Sequence, residues 1–281
     1  MIYDFMELTW LEIEALKKNK LALVLPIAPI EEHGTHLPLG VDCFLTESWV
    51  DECLSCVEGY DWVKVPIQTV GCADIKGFVG NMHISQNTLC QYVYELLNNY
   101  ASWGIQNIII ISGHADPKHA IAIEKACSKV NKKYGLRCFA PMGAIFSGDH
   151  GSVKQIYTQE LKEMLEEFPN DFHAGWIETS IMLHLMENKV KGNYLELEAT
   201  LIKAKDMIFP KRVNRIIENK GHIGYPNLAT KHLGELLQKD MVDRLSDCVS
   251  KFLNRKEYEP YEHHFLYKIK FLHPKRIREV K

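Results

Sequence analysis

Residues 21–28 read Leu-Ala-Leu-Val-Leu-Pro-Ile-Ala, an apolar run with no polar alternation. A strand with one wet face alternates with period two, and a strand covered on both faces does not. The run therefore predicts a strand inside a parallel sheet that has helices above and below it. A second run, Asn107-Ile108-Ile109-Ile110-Ile111-Ser112, carries the same signal, and Trp62-Val63-Lys64-Val65-Pro66-Ile67 and residues 136–140 are shorter candidates.

Helical patterns fill the intervals. Thr9 and Glu12 have capping-box spacing ahead of Trp10, Leu11, Ile13 and Leu16. Further helices are expected over residues 44–57, after Ser85 as cap, over 118–132 behind Pro117, over 153–169, and from the His173 to Ser180 block onward. Residues 229–253 are strongly helical in period, and the glycines at 71, 77 and 80 mark a loop. Strand alternating with helix predicts an α/β fold: a single layered α/β/α domain, its mostly parallel sheet flanked by helices, over residues 1–255. Residues 256–281 form a basic and aromatic extension, with Phe265, Tyr267, Phe271 and Leu272 among Lys268, Lys270, Lys275, Arg276 and Arg278, expected to pack on the domain or on a neighbouring subunit.

Composition narrows the function classes. Hydrophobic residues are 46% and charged residues 25%, so a packed core is expected and a disordered chain is not. A formal charge of -3 supplies no field to gather nucleic acid or anionic lipid, and no segment offers an uninterrupted membrane-length apolar stretch. The eight cysteines show no disulfide framework, and the first residues lack a basic segment followed by an apolar one. The expectation is a soluble cytoplasmic protein with a small-molecule partner and no nucleic-acid or membrane partner.

In an open α/β sheet, ligands bind beyond the carboxyl ends of the strands. The two best strands both end in polar clusters. Glu31-Glu32-His33 follows the first, and His114-Ala115-Asp116 follows the second. Carboxylate and imidazole are ligands suited to Zn²⁺, Mn²⁺ and Fe²⁺. Glu31 and His33 point to the same side of an extended segment, and Asp42 follows a Leu-Pro-Leu-Gly bend that can fold it back. Five candidate ligands, Glu31, His33, Asp42, His114 and Asp116, are enough for two divalent ions if one carboxylate bridges. Glu32 and His36 are candidates for orienting those ligands. His173, near Glu178, reads either as a proton shuttle or as part of a helix cap. His119 and His184 read as packed histidines, and the Cys53-Leu54-Ser55-Cys56 spacing falls within a helical pattern.

The ordered set of motifs resembles the creatininase (creatinine amidohydrolase) family. It comprises residues 8–14, the segment from Pro26 to Asp42, Gly80-Asn81-Met82-His83-Ile84-Ser85, Ser112-Gly113-His114, the His173 to Ser180 block, and Gly224-Tyr225-Pro226-Asn227-Leu228-Ala229-Thr230. The resemblance implies a layered α/β binuclear metal hydrolase of amide bonds, often a homohexamer, holding two divalent ions such as Zn or Mn, with Fe a third option. By position, Glu31, Asp42 and His114 would hold one ion; His33, the bridging Asp42 and Asp116 would hold the other. His173 would match the family's proton-transfer histidine, and Glu178 the acid of its His-Ala-Gly-x-x-Glu-Thr-Ser block. Substrates in the family include creatinine, formamidopyrimidines and a precursor peptide. Creatinine-like cyclic amide or formamide hydrolysis is the leading expectation, with deformylase chemistry or a non-catalytic metal binder as alternatives. Several places depart from the pattern: Glu32 stands for the usual Gln, Thr35 for Pro, and Ser112-Gly113-His114-Ala115-Asp116 for the common Asn-Gly-His-Gly-Gly-Asn. Asp116 is one methylene shorter than the glutamate that creatininase itself has two residues past its histidine, and Trp176 is unusual in its block.

Overall fold

The computed structural model describes residues 1–147, 158–203, 209–275 and 277–278. Five strands form one sheet: β1 (Ile2–Asp4), β2 (Leu21–Pro26), β3 (Asp61–Lys64), β4 (Asn107–Ile111) and β5 (Arg137–Phe139). Their order is β1-β3-β2-β4-β5, and every pairing is parallel. All six residues of β2 are buried, as an unalternating apolar run requires of a central strand.

Side-chain parity divides the sheet between two cores. Leu21, Leu23 and Leu25 pack with Ile108 and Ile110 against α1 (Trp10–Leu16), α3 (Gln86–Ser102) and α4 (Pro117–Tyr134). Ala22 and Val24 pack with Ile109 and Ile111 on the opposite face, against α2 (Val41–Cys56), α5 (Met142–Phe146), α7 (Trp176–Met186) and α9 (Lys231–Leu253). The result is the expected three-layer α/β/α arrangement. Among the described residues the other α-helices are α6 (Gln159–Glu167) and α8 (Pro210–Ile217). Part of the helix expected over 153–169, residues 153–157, lies outside the described residues.

The local signals at the helix starts have physical counterparts. Thr9 and Glu12 form the reciprocal capping box of α1, Ser85 caps α3 by accepting from the Thr88 backbone N–H, and Pro117 opens α4. The edge strand β1 has no counterpart in the sequence reading. It is three residues long and mostly exposed, too short and too wet for a hydrophobic pattern, and is recognisable only from its register with Trp62 to Lys64 of β3.

The topology fixes where a site can form. β2 and β4 are neighbours, yet the helices that follow them, α2 and α4, pack on opposite faces. The loops beyond those two strands therefore part and leave a crevice between them, the place where ligands bind in such sheets.

The C-terminal extension runs over α3 and α4. Gln86 donates to the Leu272 carbonyl, Lys129 to that of Ile277, and the Lys275 and Arg278 backbones donate to Asn87 and Gln91. Arg276 lies outside the described residues. All eight cysteines are free thiols. Among the described residues, no helix is long and apolar enough to cross a membrane.

Candidate metal centre

Beyond β2 the chain loops through residues 27–40 and returns on itself. The Glu31 N–H donates to the Leu39 carbonyl at 3.1 Å, which brings Asp42, in the first turn of α2, beside Glu31. From β4, Gly113 supplies the next contact. A Cβ on Gly113 would lie 2.7 Å from the Asp42 carbonyl oxygen, so only glycine allows the two backbones to approach this closely. Thr46 stitches the approach by donating to the Asp42 carbonyl at 2.6 Å while accepting from the Gly113 N–H at 2.6 Å.

His114 is thereby delivered to the acids. Its Nδ1 lies 3.0 Å from Asp42 Oδ2 and 3.3 Å from Glu31 Oε2. Its Nε2 is 3.2 Å from the Cys72 carbonyl. A carbonyl can only accept, so Nε2 carries the hydrogen and, in the neutral ring, Nδ1 turns a lone pair toward the carboxylates. His33 repeats this pattern with its nitrogens exchanged. Nδ1 donates to the Glu31 carbonyl at 3.1 Å, and Nε2 faces Asp42 Oδ1 at 3.3 Å and Glu178 Oε2 at 3.7 Å.

Lone pairs directed at carboxylate oxygens repel them unless positive charge sits between. Burial opposes charge on His33, but Asp42, Glu178 and Glu31 outweigh it and raise the ring to about 10. Burial likewise opposes charge on His114, and Asp42 and Glu31 raise it to about 10. Burial would lift Asp42, yet His114 and His33 hold it well below the ordinary carboxylate range. Glu31 is pushed up to about 7, chiefly by burial and against the pull of His114 and His173.

Buried side-chain atoms here without a hydrogen-bond partner include both oxygens of Glu31, His33 Nε2, Asp42 Oδ2 and His83 Nε2. Stranded buried polar atoms are costly, and several converging on one place mark a missing charge. Among the described residues, three groups could hold a metal ion, each with its ligand atoms within 4.8 Å of one another: Glu31, Asp42 and His114; His33, Asp42 and Glu178; and Glu31, His33 and His173. Asp42 belongs to the first two, and its two oxygens face different histidines. The donor set is oxygen and imidazole nitrogen, which fits divalent cations of the zinc and manganese kind.

Glu31, His33, Asp42 and His114 are thus brought together. Asp116 is not with them. It is the N-cap of α4, with Oδ1 accepting from the Lys118 and His119 N–H groups at 2.7 and 3.2 Å and Oδ2 lying 3.3 Å from the Asp74 N–H. A side chain this short, directly before Pro117, reaches the open backbone donors of its own helix more readily than the crevice. Glu178, from the first turn of α7, stands instead in the candidate group with His33 and Asp42.

His173 is held by an antiparallel bridge to Ile223, and its Nε2 donates to the Glu32 carbonyl at 2.7 Å. Burial and His33 depress its pKa, while Glu32, Glu31 and Glu178 outweigh them and raise it. The Glu32 carboxylate also accepts from the Gly34 N–H at 2.9 Å, and His36 bonds Thr179 at 2.8 Å. His119 is a packed residue held by Ser112 and the Cys72 N–H. Trp176 is fully buried in the core.

Two residues given no role in the sequence reading matter here. Asp171 accepts from the N–H groups of Trp176, Ile177 and Tyr225 at 2.9, 3.0 and 3.0 Å. It fills the space where side chains on Gly175 and Gly224 would go, and so fixes the start of α7. An aspartate shortly before a helix was its available signal. His83, within the quoted Gly80 to Ser85 stretch, points its Nε2 at Glu31 Oε1 from 3.6 Å.

Known proteins resemble this chain over most of its length. Residues 6–249 match the family described as Creatininase: Creatinine amidohydrolase. Creatinine amidohydrolase of Pseudomonas putida is 23% identical over 266 residues, covering 90% of this chain and 96% of that protein. The mycofactocin precursor peptide peptidase of Mycolicibacterium smegmatis is 23% identical over 237 residues, covering 82% and 85%. A solved structure described as "Creatininase Mn" superposes with a TM-score of 0.70 at 19% identity, covering 89% of this chain and 98% of that one. A creatininase variant described as "Zn-Zn type" gives 0.65 at 18% identity, covering 88% and 97%. On the family match across most of its length, this chain belongs to the creatininase family.

Proposed function

We propose that this protein is a metal-dependent amidohydrolase that cleaves the C–N bond of a small amide, a cyclic amide or formamide, with two divalent cations. Glu31, Asp42 and His114 would hold one ion, and His33, Asp42 and Glu178 the other. The observation that carries this reading is the shared Asp42, whose two oxygens face two histidines that each turn their other ring nitrogen to a backbone carbonyl. Glu178 replaces Asp116 in the second set because Asp116 is engaged as a helix cap.

Divalent ions bound there would lower the pKa of a water and polarise the amide carbonyl, the two needs of C–N hydrolysis. The protein supplies the proton handling. The Glu32 carbonyl holds the hydrogen on His173 Nε2, so His173 Nδ1 is the nitrogen available to take a proton from the attacking water and return it to the leaving nitrogen. Glu32 Oε1, 3.5 Å from Nε2, stabilises the ring while it is charged. Burial of Glu31, His33 and Asp42 keeps bulk water from screening these charges.

The same reading places the protein in the cytoplasm, where free thiols persist, and as a homo-oligomer, a hexamer by family resemblance. Manganese and zinc, named in the descriptions of related structures, are the first ions to test. Metal analysis of protein purified without added metal is expected to find two divalent ions per chain. His33→Ala is expected to lose one of them while remaining folded and to abolish turnover of creatinine, formamides or short peptides, whichever the wild type accepts. Full metal content in His33→Ala would overturn the proposal, as would wild-type protein that binds ions but turns over no amide.

A further inference from the structure

His83 lies on the loop between β3 and α3, and its backbone is pinned on both sides. The Met82 N–H donates to the Ile30 carbonyl at 2.9 Å, and the Ile84 N–H to the Gly71 carbonyl at 2.9 Å. The first bond ties His83 to the residue preceding Glu31. Its side chain is 13% exposed, and its Nε2 is buried without a hydrogen-bond partner. The Glu31 carboxylate, 1% exposed, is divided between two surroundings: Oε2 faces His114 Nδ1 at 3.3 Å, and Oε1 faces His83 Nε2 at 3.6 Å. An ion held through Oε2 with Asp42 and His114 leaves Oε1 as a charged acceptor in a dry site, a loss of the order of 1–3 kcal/mol if nothing donates to it. A small rotation of either side chain closes the remaining gap to a hydrogen bond.

We propose that His83 is a positioning residue for Glu31, donating its Nε2 hydrogen to Oε1 and so turning Oε2 toward the first cation. His83 is in none of the three groups whose ligand atoms cluster within 4.8 Å, so it acts through Glu31 and does not ligate. The inference rests on the metal reading of Glu31. Partners of this kind set ligand orientation, and losing one costs about 10–100-fold in metal affinity.

The test is a Mn²⁺ titration of the metal-free full chain, with free ion followed by electron paramagnetic resonance, for wild type, His83→Ala and His83→Gln. His83→Ala is expected to weaken one of two ions by about 10–100-fold and leave the other unchanged. His83→Gln, whose amide can still donate at that reach, is expected to recover most of the loss. Unchanged affinity in His83→Ala overturns this inference alone, and so does a glutamine variant as weak as the alanine one. Wild-type protein that takes up no Mn²⁺ overturns the metal reading and this inference with it.

Discussion

Two helix starts flank the centre, and they spend their acidic residues in opposite ways. At α4 the acid is the cap: Asp116 accepts from the N–H groups of its own helix through Oδ1 and from the Asp74 N–H through Oδ2, and it is in none of the candidate ligand groups around His33. At α7 the N-cap is Gly175, which has no side chain to offer. Asp171, from outside the helix, accepts from Trp176 and Ile177 instead. Glu178, in the first turn, is then free to bond the Ala174 N–H at 2.5 Å and face His33. Glu178 Oε2 accepts one backbone N–H and still faces His33, while Asp171 takes the Trp176 and Ile177 N–H groups of the same helix start.

The sharpest way to break this comparison is to remove each acid in turn. On the proposed reading, Glu178→Ala deletes a ligand, loses one of two ions and lowers turnover by about 10²–10³-fold, read by metal analysis and steady-state kinetics. An intact ion count in that variant would place the second ion elsewhere. Next in size is Asp171→Asn. Its amide turns a donor toward at least one backbone N–H, so a loss of about 2 kcal/mol in denaturant stability is expected, together with a loosened second ion. Normal ion affinity despite that loss would show that Glu178 does not depend on the Asp171 cap. The smallest effect belongs to Asp116→Ala. Losing this cap costs about 1 kcal/mol, while two ions and near-normal turnover remain; loss of an ion would return Asp116 to the ligand set.

The contrast also marks how far the sequence could be read. β2 and β4 were legible because a doubly covered strand leaves an unbroken apolar run, Glu31, His33 and His114 because they follow those runs closely, and Asp42 because a Leu-Pro-Leu-Gly bend before it can fold it back. The division of labour between Asp116 and Glu178 was not. It depends on Asp171 reaching a helix start it does not belong to, and on which backbone donors lie nearest a short side chain. His83 was hidden for a related reason, since its place is set by bridges to Ile30's and Gly71's segments and not by spacing. The basic and aromatic character of the tail said nothing of its seat, where single hydrogen bonds run from Gln86, Gln91 and Lys129 to its carbonyls and from the Lys275 N–H to Asn87.

Asp42 has a consequence that reaches past any one ligand. Its two oxygens belong to two candidate groups, and its carbonyl lies against Gly113, so on the proposed reading occupancy of the two positions would be thermodynamically linked. A first ion would order the carboxylate that a second must share, and would also raise the positive charge the second must approach. Loading would then be cooperative in one sense or the other, and by reciprocity each ion would change the affinity of the other by the same factor.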